Sequence, residues 1–264
     1  MNHPSNRTIL TVSLGTSVKE TRIKTLEAIE NAFRSAYPGA VHSRAWTSQF
    51  LRSKVLETEG ITIHSVSESL SQLLSDGIQE VYIQPTFVTN GSEYQKLIQE
   101  ITPFQNQFQT LCIGSPLMEC ENDFAPILTA ITDFDHYPRP QSDELLLFMG
   151  HGTTDGEYAL YDKLDQAFQS YGLHNTFLKT MQSPTALDEI ISIADERKIR
   201  QITLAPFMIV AGRHAIHDMA GDHPNSWKSR LEQAGFHVHC EMKGLGELPE
   251  IQQLLLHKLK RQFP

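Results

Sequence analysis

Apolar residues along the chain fall into short runs rich in Val, Ile and Leu, separated by longer stretches in which they recur every three or four positions. Short unbroken runs suit strands covered on both faces, and the three-to-four spacing suits helices packed by one face. Their alternation predicts parallel strands joined by crossover helices, an α/β fold. The runs place strands at 8–14, 40–45, 79–84 and 109–114 in the first half, and at 144–149, 175–181, 200–205 and 237–243 in the second. Helical periodicity covers 18–36, 65–76, 92–101, 155–170, 185–197, 226–234 and 247–262. Between the halves, "FDHYPRPQSD" at 134–143 has two prolines and no periodicity, as a linker does. It predicts two lobes, 1–137 and 138–264, each built on a mainly parallel four-stranded sheet flanked by helices.

The halves also resemble each other. "TVSLGTS" at 11–17 matches "FMGHGTT" at 148–154, setting Gly15 on Gly152, Thr16 on Thr153 and Leu14 on His151. "VYIQPTFVTNGSEY" at 81–94 matches "ITLAPFMIVAGRHA" at 202–215, setting Pro85 on Pro206, Gly91 on Gly212 and Glu93 on His214. The paired glycines lie 76 residues apart in the first half (91 − 15) and 60 in the second (212 − 152), so the first half carries an insertion of 16 residues (76 − 60). A duplicated α/β lobe follows.

Composition narrows the chemistry. A net charge of −9, with no basic run, argues against a nucleic-acid groove and for a small-molecule partner. No apolar stretch approaches the roughly 20 residues that span a bilayer, and the polar start of the chain lacks the pattern of a signal peptide, so a soluble cytoplasmic protein is expected. The three cysteines, Cys112, Cys120 and Cys240, lack metal-type spacing and read as buried free thiols.

In open parallel sheets, ligands gather beyond the carboxyl ends of the strands, where glycines let loops approach closely. His151, in "GHG", and His214, in "GRHA", both follow such strands in the second half, and their repeat counterparts are Leu14 and Glu93. If the lobes face one another, two imidazoles form a metal or proton site on one wall and Glu93 supplies a carboxylate on the other. "GHGTT" lacks the lysine of a Walker loop and the spacing of a dinucleotide fingerprint, and no G-x-S-x-G elbow occurs, which argues against nucleotide binding and serine hydrolysis. His217 and Asp218 read as an exposed helical turn, and His223 as a loop residue.

The stretches "VSLGTS" at 12–17, "RAWTS" at 44–48, "NGSEY" at 90–94, "FMGHG" at 148–152, "VAGRHAIHDMAGD" at 210–222, "SWK" at 226–228 and "GLGE" at 244–247 together resemble the anaerobic sirohydrochlorin cobaltochelatases, relatives of the class II chelatases that include ferrochelatase. The resemblance implies two similar α/β lobes with the active site in the cleft between them. It implies insertion of a divalent ion, Co²⁺ ahead of Fe²⁺ or Ni²⁺, into the tetrapyrrole sirohydrochlorin on the way to cobalamin, with no organic cofactor. The alternatives are Fe²⁺ insertion for sirohaem or haem, and a tetrapyrrole- or metal-binding carrier without turnover. The oligomeric state stays open, a homo-oligomer included.

The family's metal-binding histidines correspond to His151 and His214. Its third ligand, a glutamate, corresponds to Gln182 in "TMQSPT", where an amide oxygen brings no charge and should lower affinity. Glu93 would orient the macrocycle or relay protons. The carboxylate-rich rim of sirohydrochlorin would find donors in Arg213 and in the hydroxyls of Thr16, Ser17, Thr153 and Thr154, with Arg44 and Arg52 as weaker candidates.

Overall fold

The structure is a computed structural model that describes residues 6–132, 136–152, 159–183 and 185–263. It divides into two compact units, the first comprising the chain up to Glu119 together with the segment from Pro249 onward, the second Cys120–Leu248.

In the first unit the strands are β1 (Arg7–Ser13), β2 (Val41–Trp46), β3 (Glu80–Pro85) and β4 (Thr110–Ile113), in the order β2-β1-β3-β4. All three pairings are parallel. β1 is buried along its length after Arg7, as a central strand with helices on both faces must be. Leu10, Val12, Val81 and Ile83 of the sheet pack with Val66, Leu70 and Leu97 of the crossover helices Val66–Ser75 and Ser92–Ile101. Ser65 opens the first of these helices with a capping box: its hydroxyl accepts from Glu68 N, and the Glu68 carboxylate accepts from Ser65 N. The C-terminal helix Pro249–Lys260 packs against Ala28–Ala36 and β3.

The second unit repeats this plan with β5 (Glu144–Gly150), β6 (Thr176–Thr180), β7 (Gln201–Phe207) and β8 (His237–Cys240), in the order β6-β5-β7-β8 and again all parallel. Replacing each strand of the first sheet by the one four places later gives the second sheet, which is the topology a duplicated lobe requires. The matched prolines take equivalent places: Pro85 pairs with Val12 across β3–β1, and Pro206 with Met149 across β7–β5. Leu145, Leu147 and Met149 of β5 join Leu187, Ile190, Leu204, Trp227 and Leu231 in the core.

Three features depart from the sequence reading. Helices Gln49–Glu59 and Phe124–Ile131 were not expected. The first lies between β2 and β3, where the second unit has the single helix Ala186–Glu196 between β6 and β7, and it accounts for the extra length of the first half. The unit boundaries also differ: the second unit begins at Cys120 rather than at 138, and the C-terminal helix belongs to the first unit rather than to the second. Finally, the cysteines are free but not buried, since Cys112 and Cys240 are half-buried and Cys120 is exposed. Among the described residues, no helix is long and apolar enough to cross a membrane.

Candidate metal site at the strand exits of the second unit

β5 ends at Gly150 and the chain turns at Gly152, whose φ of +80° is open to glycine at little cost. A Cβ there would also lie 3.0 Å from Thr180 Cβ and 3.2 Å from Gln182 Cγ, so the turn is packed against the end of β6 and the residues after it. The repeat counterpart Gly15 has φ +97°, and a Cβ there would fall 2.4 Å from the Trp46 ring. Both glycines are therefore fixed by local backbone and packing.

His151 sits on this turn and His214 at the start of a π turn, Ala215–Met219, after β7. Their imidazole rings meet edge to face with centroids 5.0 Å apart. His151 Nδ1 is 2.9 Å from Gly152 O, and a carbonyl can only accept, so this nitrogen carries the hydrogen. His214 Nδ1 is 2.6 Å from Asp218 Oδ2 and donates to that carboxylate in the same way. Both rings are thus fixed in one tautomer, with the lone pair on Nε2. A ligating histidine commonly has its other nitrogen held by a carbonyl or carboxylate, which orients the ring and raises its basicity.

Asp218 is the residue that sequence reasoning missed, having read it as part of an exposed turn. Its spacing of four from His214 was the available signal, since residues four apart share a helix face. Burial opposes the charged form of Asp218, but hydrogen bonds from His214 and His217 outweigh it and hold the carboxyl below its ordinary range. The group is an anion at neutral pH, as support for a cation-binding imidazole requires.

Gln182 is exposed, with its Cγ beside Gly152, next in the chain to His151. Glu189 is directed elsewhere, accepting from Thr185 Oγ1 at 2.8 Å and pairing with Lys179 at 3.3 Å. Arg213 is exposed beside His214. Thr153 and Thr154 lie outside the described residues.

In the first unit, the Glu93 carboxylate accepts from Thr47 Oγ1 at 2.8 Å and from Lys96 Nζ at 2.6 Å, near the start of helix Ser92–Ile101. Thr16 is buried, and its hydroxyl accepts from Val18 N at 3.1 Å, so it serves the turn, while Ser17 is exposed. Arg44 pairs with Glu27 and Glu30, and Arg52 with Glu68 at 3.1 Å.

Known proteins align with this architecture over nearly its whole length. The chain is 32% identical over 253 residues to the sirohydrochlorin cobaltochelatase of Salmonella typhimurium (strain LT2), covering 96% of this chain and 95% of that protein. It is 29% identical over 226 residues to the sirohydrochlorin cobaltochelatase CbiKC of Nitratidesulfovibrio vulgaris, covering 84% of this chain and 79% of that one. Among solved structures, SirB from Bacillus subtilis superposes with a TM-score of 0.65 over 97% of this chain and 95% of its own, at 13% identity, a likeness of fold. The model of the cobalt chelatase (CbiK) family matches residues 7–263, and the chain belongs to that family.

Proposed function

We infer that the protein inserts Co²⁺ into sirohydrochlorin, with His151 and His214 as the residues that present the ion. The observation that carries the assignment is the paired imidazoles 5.0 Å apart, each with Nδ1 engaged and Nε2 left for a ligand. Family membership supports the reaction, and the metal is its substrate. Co²⁺ is preferred to Fe²⁺ and Ni²⁺ on the family's description, because nitrogen and oxygen donors alone rank these ions by a common affinity order.

Metallation exchanges ligands without changing oxidation state: the cation and the diprotonated macrocycle give the metal complex and two protons. No organic cofactor is needed. Two imidazoles hold the incoming ion through Nε2, and the Gln182 amide oxygen serves as a third, neutral donor. Pyrrole nitrogens then replace these donors one by one. Each Nε2 released from the ion is a base for one of the two departing pyrrole protons, and Asp218 stabilises the imidazolium formed on His214. A neutral third donor favours release over retention, which suits a site that must pass its metal on.

Glu93, held by Thr47 and Lys96, acts toward the macrocycle rather than the metal, as an acceptor for its N–H groups or a relay for their protons. Arg213 and Ser17, both exposed at strand exits, are assigned to the carboxylate rim, together with Thr153 and Thr154. Thr16 contributes by fixing the turn beside Ser17. The free thiols, with no disulfide to maintain, fit a cytoplasmic enzyme.

The test is direct. Purified protein is mixed with sirohydrochlorin and each of Co²⁺, Fe²⁺ and Ni²⁺ under anaerobic conditions, and the absorbance change on metallation is followed. Turnover fastest with Co²⁺ supports the assignment. Stoichiometric tetrapyrrole binding without turnover would make the protein a carrier.

A further inference from the structure

A second group of metal-competent side chains lies next to the histidine pair, and two of its three members, His217 and His223, are not ligands in metallation. His217, Asp218 and His223 each offer a ligand atom, and these atoms lie within 4.8 Å of one another. We propose that His217, His223 and Asp218 form a second binding site for a divalent first-row transition ion, distinct from the site of His151 and His214.

The geometry is built by the fold. The rings of His217 and His223 lie with centroids 4.4 Å apart and planes inclined by 31°, although the two residues belong to different segments, a π turn and the loop that follows. His223 Nε2 is 2.9 Å from His217 O and donates to that carbonyl, which leaves the Nδ1 lone pair for a ligand. This is the same arrangement that fixes His151 through Gly152 O. The loop between the two histidines is held in place: Ser226, fully buried, donates its hydroxyl to Gly221 O at 2.5 Å, and Lys228 pairs with Asp222 at 2.8 Å. Gly221 is required for the approach, since a Cβ there would lie 2.3 Å from His217 O and 3.1 Å from His223 Cδ2. The imidazoles are therefore brought together before any ion arrives, which removes much of the ordering cost of binding.

The donor set selects the ion. Two imidazoles and one carboxylate suit Co²⁺, Ni²⁺ or Zn²⁺, whereas Mg²⁺ and Ca²⁺ seek all-oxygen surroundings. Three protein donors leave positions for water, so the ion exchanges readily. Asp218 connects the two sites, with Oδ2 on His214 Nδ1 at 2.6 Å and Oδ1 on His217 Nδ1 at 3.2 Å. Neither His217 nor His223 is a ligand of the first pair, and His223 bonds to His217 O rather than to Asp218, so His223→Ala empties the second site with least effect on the first.

The test counts bound ions. Metal-free protein is titrated with Co²⁺ by calorimetry, with visible absorption of the bound ion followed in parallel. His223→Ala is expected to bind one equivalent fewer than wild type, and His217→Ala to show the same loss. The double variant His151→Ala/His214→Ala is expected to keep the equivalent that His223→Ala loses. Circular dichroism checks the fold of each variant; His217 is exposed and His223 only half-buried, and if one single variant misfolds the other decides. Equal Co²⁺ stoichiometry in wild type and in the folded single variant would overturn the proposal. Because the two sites are read by separate variants, failure of the second leaves the assignment of His151 and His214 untouched.

Discussion

Asp218 is the point where the site's electrostatics can be perturbed with least change of shape. Asp218→Asn keeps an oxygen that can accept from His214 Nδ1 but removes the charge that makes the 2.6 Å hydrogen bond a charge-assisted one. His214 then becomes a poorer donor to a cation, and a protonated His214 loses its counter-ion. Loss of such a supporting group typically costs 10–100-fold in metal affinity, about 1.4–2.8 kcal/mol. The side chains of His214 and Asp218 are 44% and 35% exposed, so solvent screening places the expected effect near the lower end, about tenfold. The assay is Co²⁺ titration at neutral pH in a His223→Ala background, so that only the first site is read. A dissociation constant within twofold of the Asp218 parent would refute the claim that this carboxylate supports the ligand. Acid titration offers a second check with a definite sign. The Asp218 carboxyl is held below its ordinary range in the folded protein, so its contribution to stability is present above the unfolded value of about 3.8 and is lost as pH falls through the lower folded value. Asp218→Asn should therefore flatten the pH dependence of the thermal midpoint only at strongly acidic pH.

Three further substitutions test other parts of the account. Gln182→Glu places a carboxylate beside the Gly152 turn; a full charge about 4 Å from a divalent ion in an exposed setting gains about 2 kcal/mol, so Co²⁺ should bind roughly 30-fold tighter, and unchanged affinity would mean that Gln182 points away from the ion. Glu93→Gln keeps a hydrogen-bonding partner for Thr47 and Lys96 but removes the charge, and should lower kcat while leaving Co²⁺ affinity of the free enzyme unchanged; lost metal binding would make Glu93 a ligand. Gly15→Ala forces a Cβ into the Trp46 ring at φ +97°, combining backbone strain with overpacking at a cost of about 3 kcal/mol, which should lower the melting midpoint by several degrees.

Much of this arrangement was legible in the sequence because it rests on local rules. Parallel strands buried on both faces read as unbroken apolar runs, and all eight strands lie within a few residues of where those runs place them. The duplication showed in paired glycines and prolines, and the two identical strand orders follow from it. What was hidden depended on contacts distant in sequence or on weak periodicity. Helix Gln49–Glu59 buries only Val55, so its apolar face leaves little pattern. Phe124–Ile131 is apolar on most sides, which masks the helical period. The return of the C-terminal helix to the first unit is a tertiary choice that no local pattern encodes. At the site, strand-exit glycines pointed to His151 and His214. Asp218 was obscured because its polar neighbours, His217 and Asp222, read as a solvated turn, although its spacing of four from His214 does bring the two side chains together.

The central claim is that His151 and His214 act as one metal-presenting unit, although 63 residues (214 − 151) separate them in sequence. The most direct measurement is the anaerobic rate of Co²⁺ insertion into sirohydrochlorin by His151→Ala, His214→Ala and the double variant, beside their thermal midpoints. Each single variant is expected to lose insertion almost completely and the double variant to be little worse than either, with midpoints close to wild type. A single variant with full activity, or a double variant whose loss is the product of two independent partial losses, would contradict the claim.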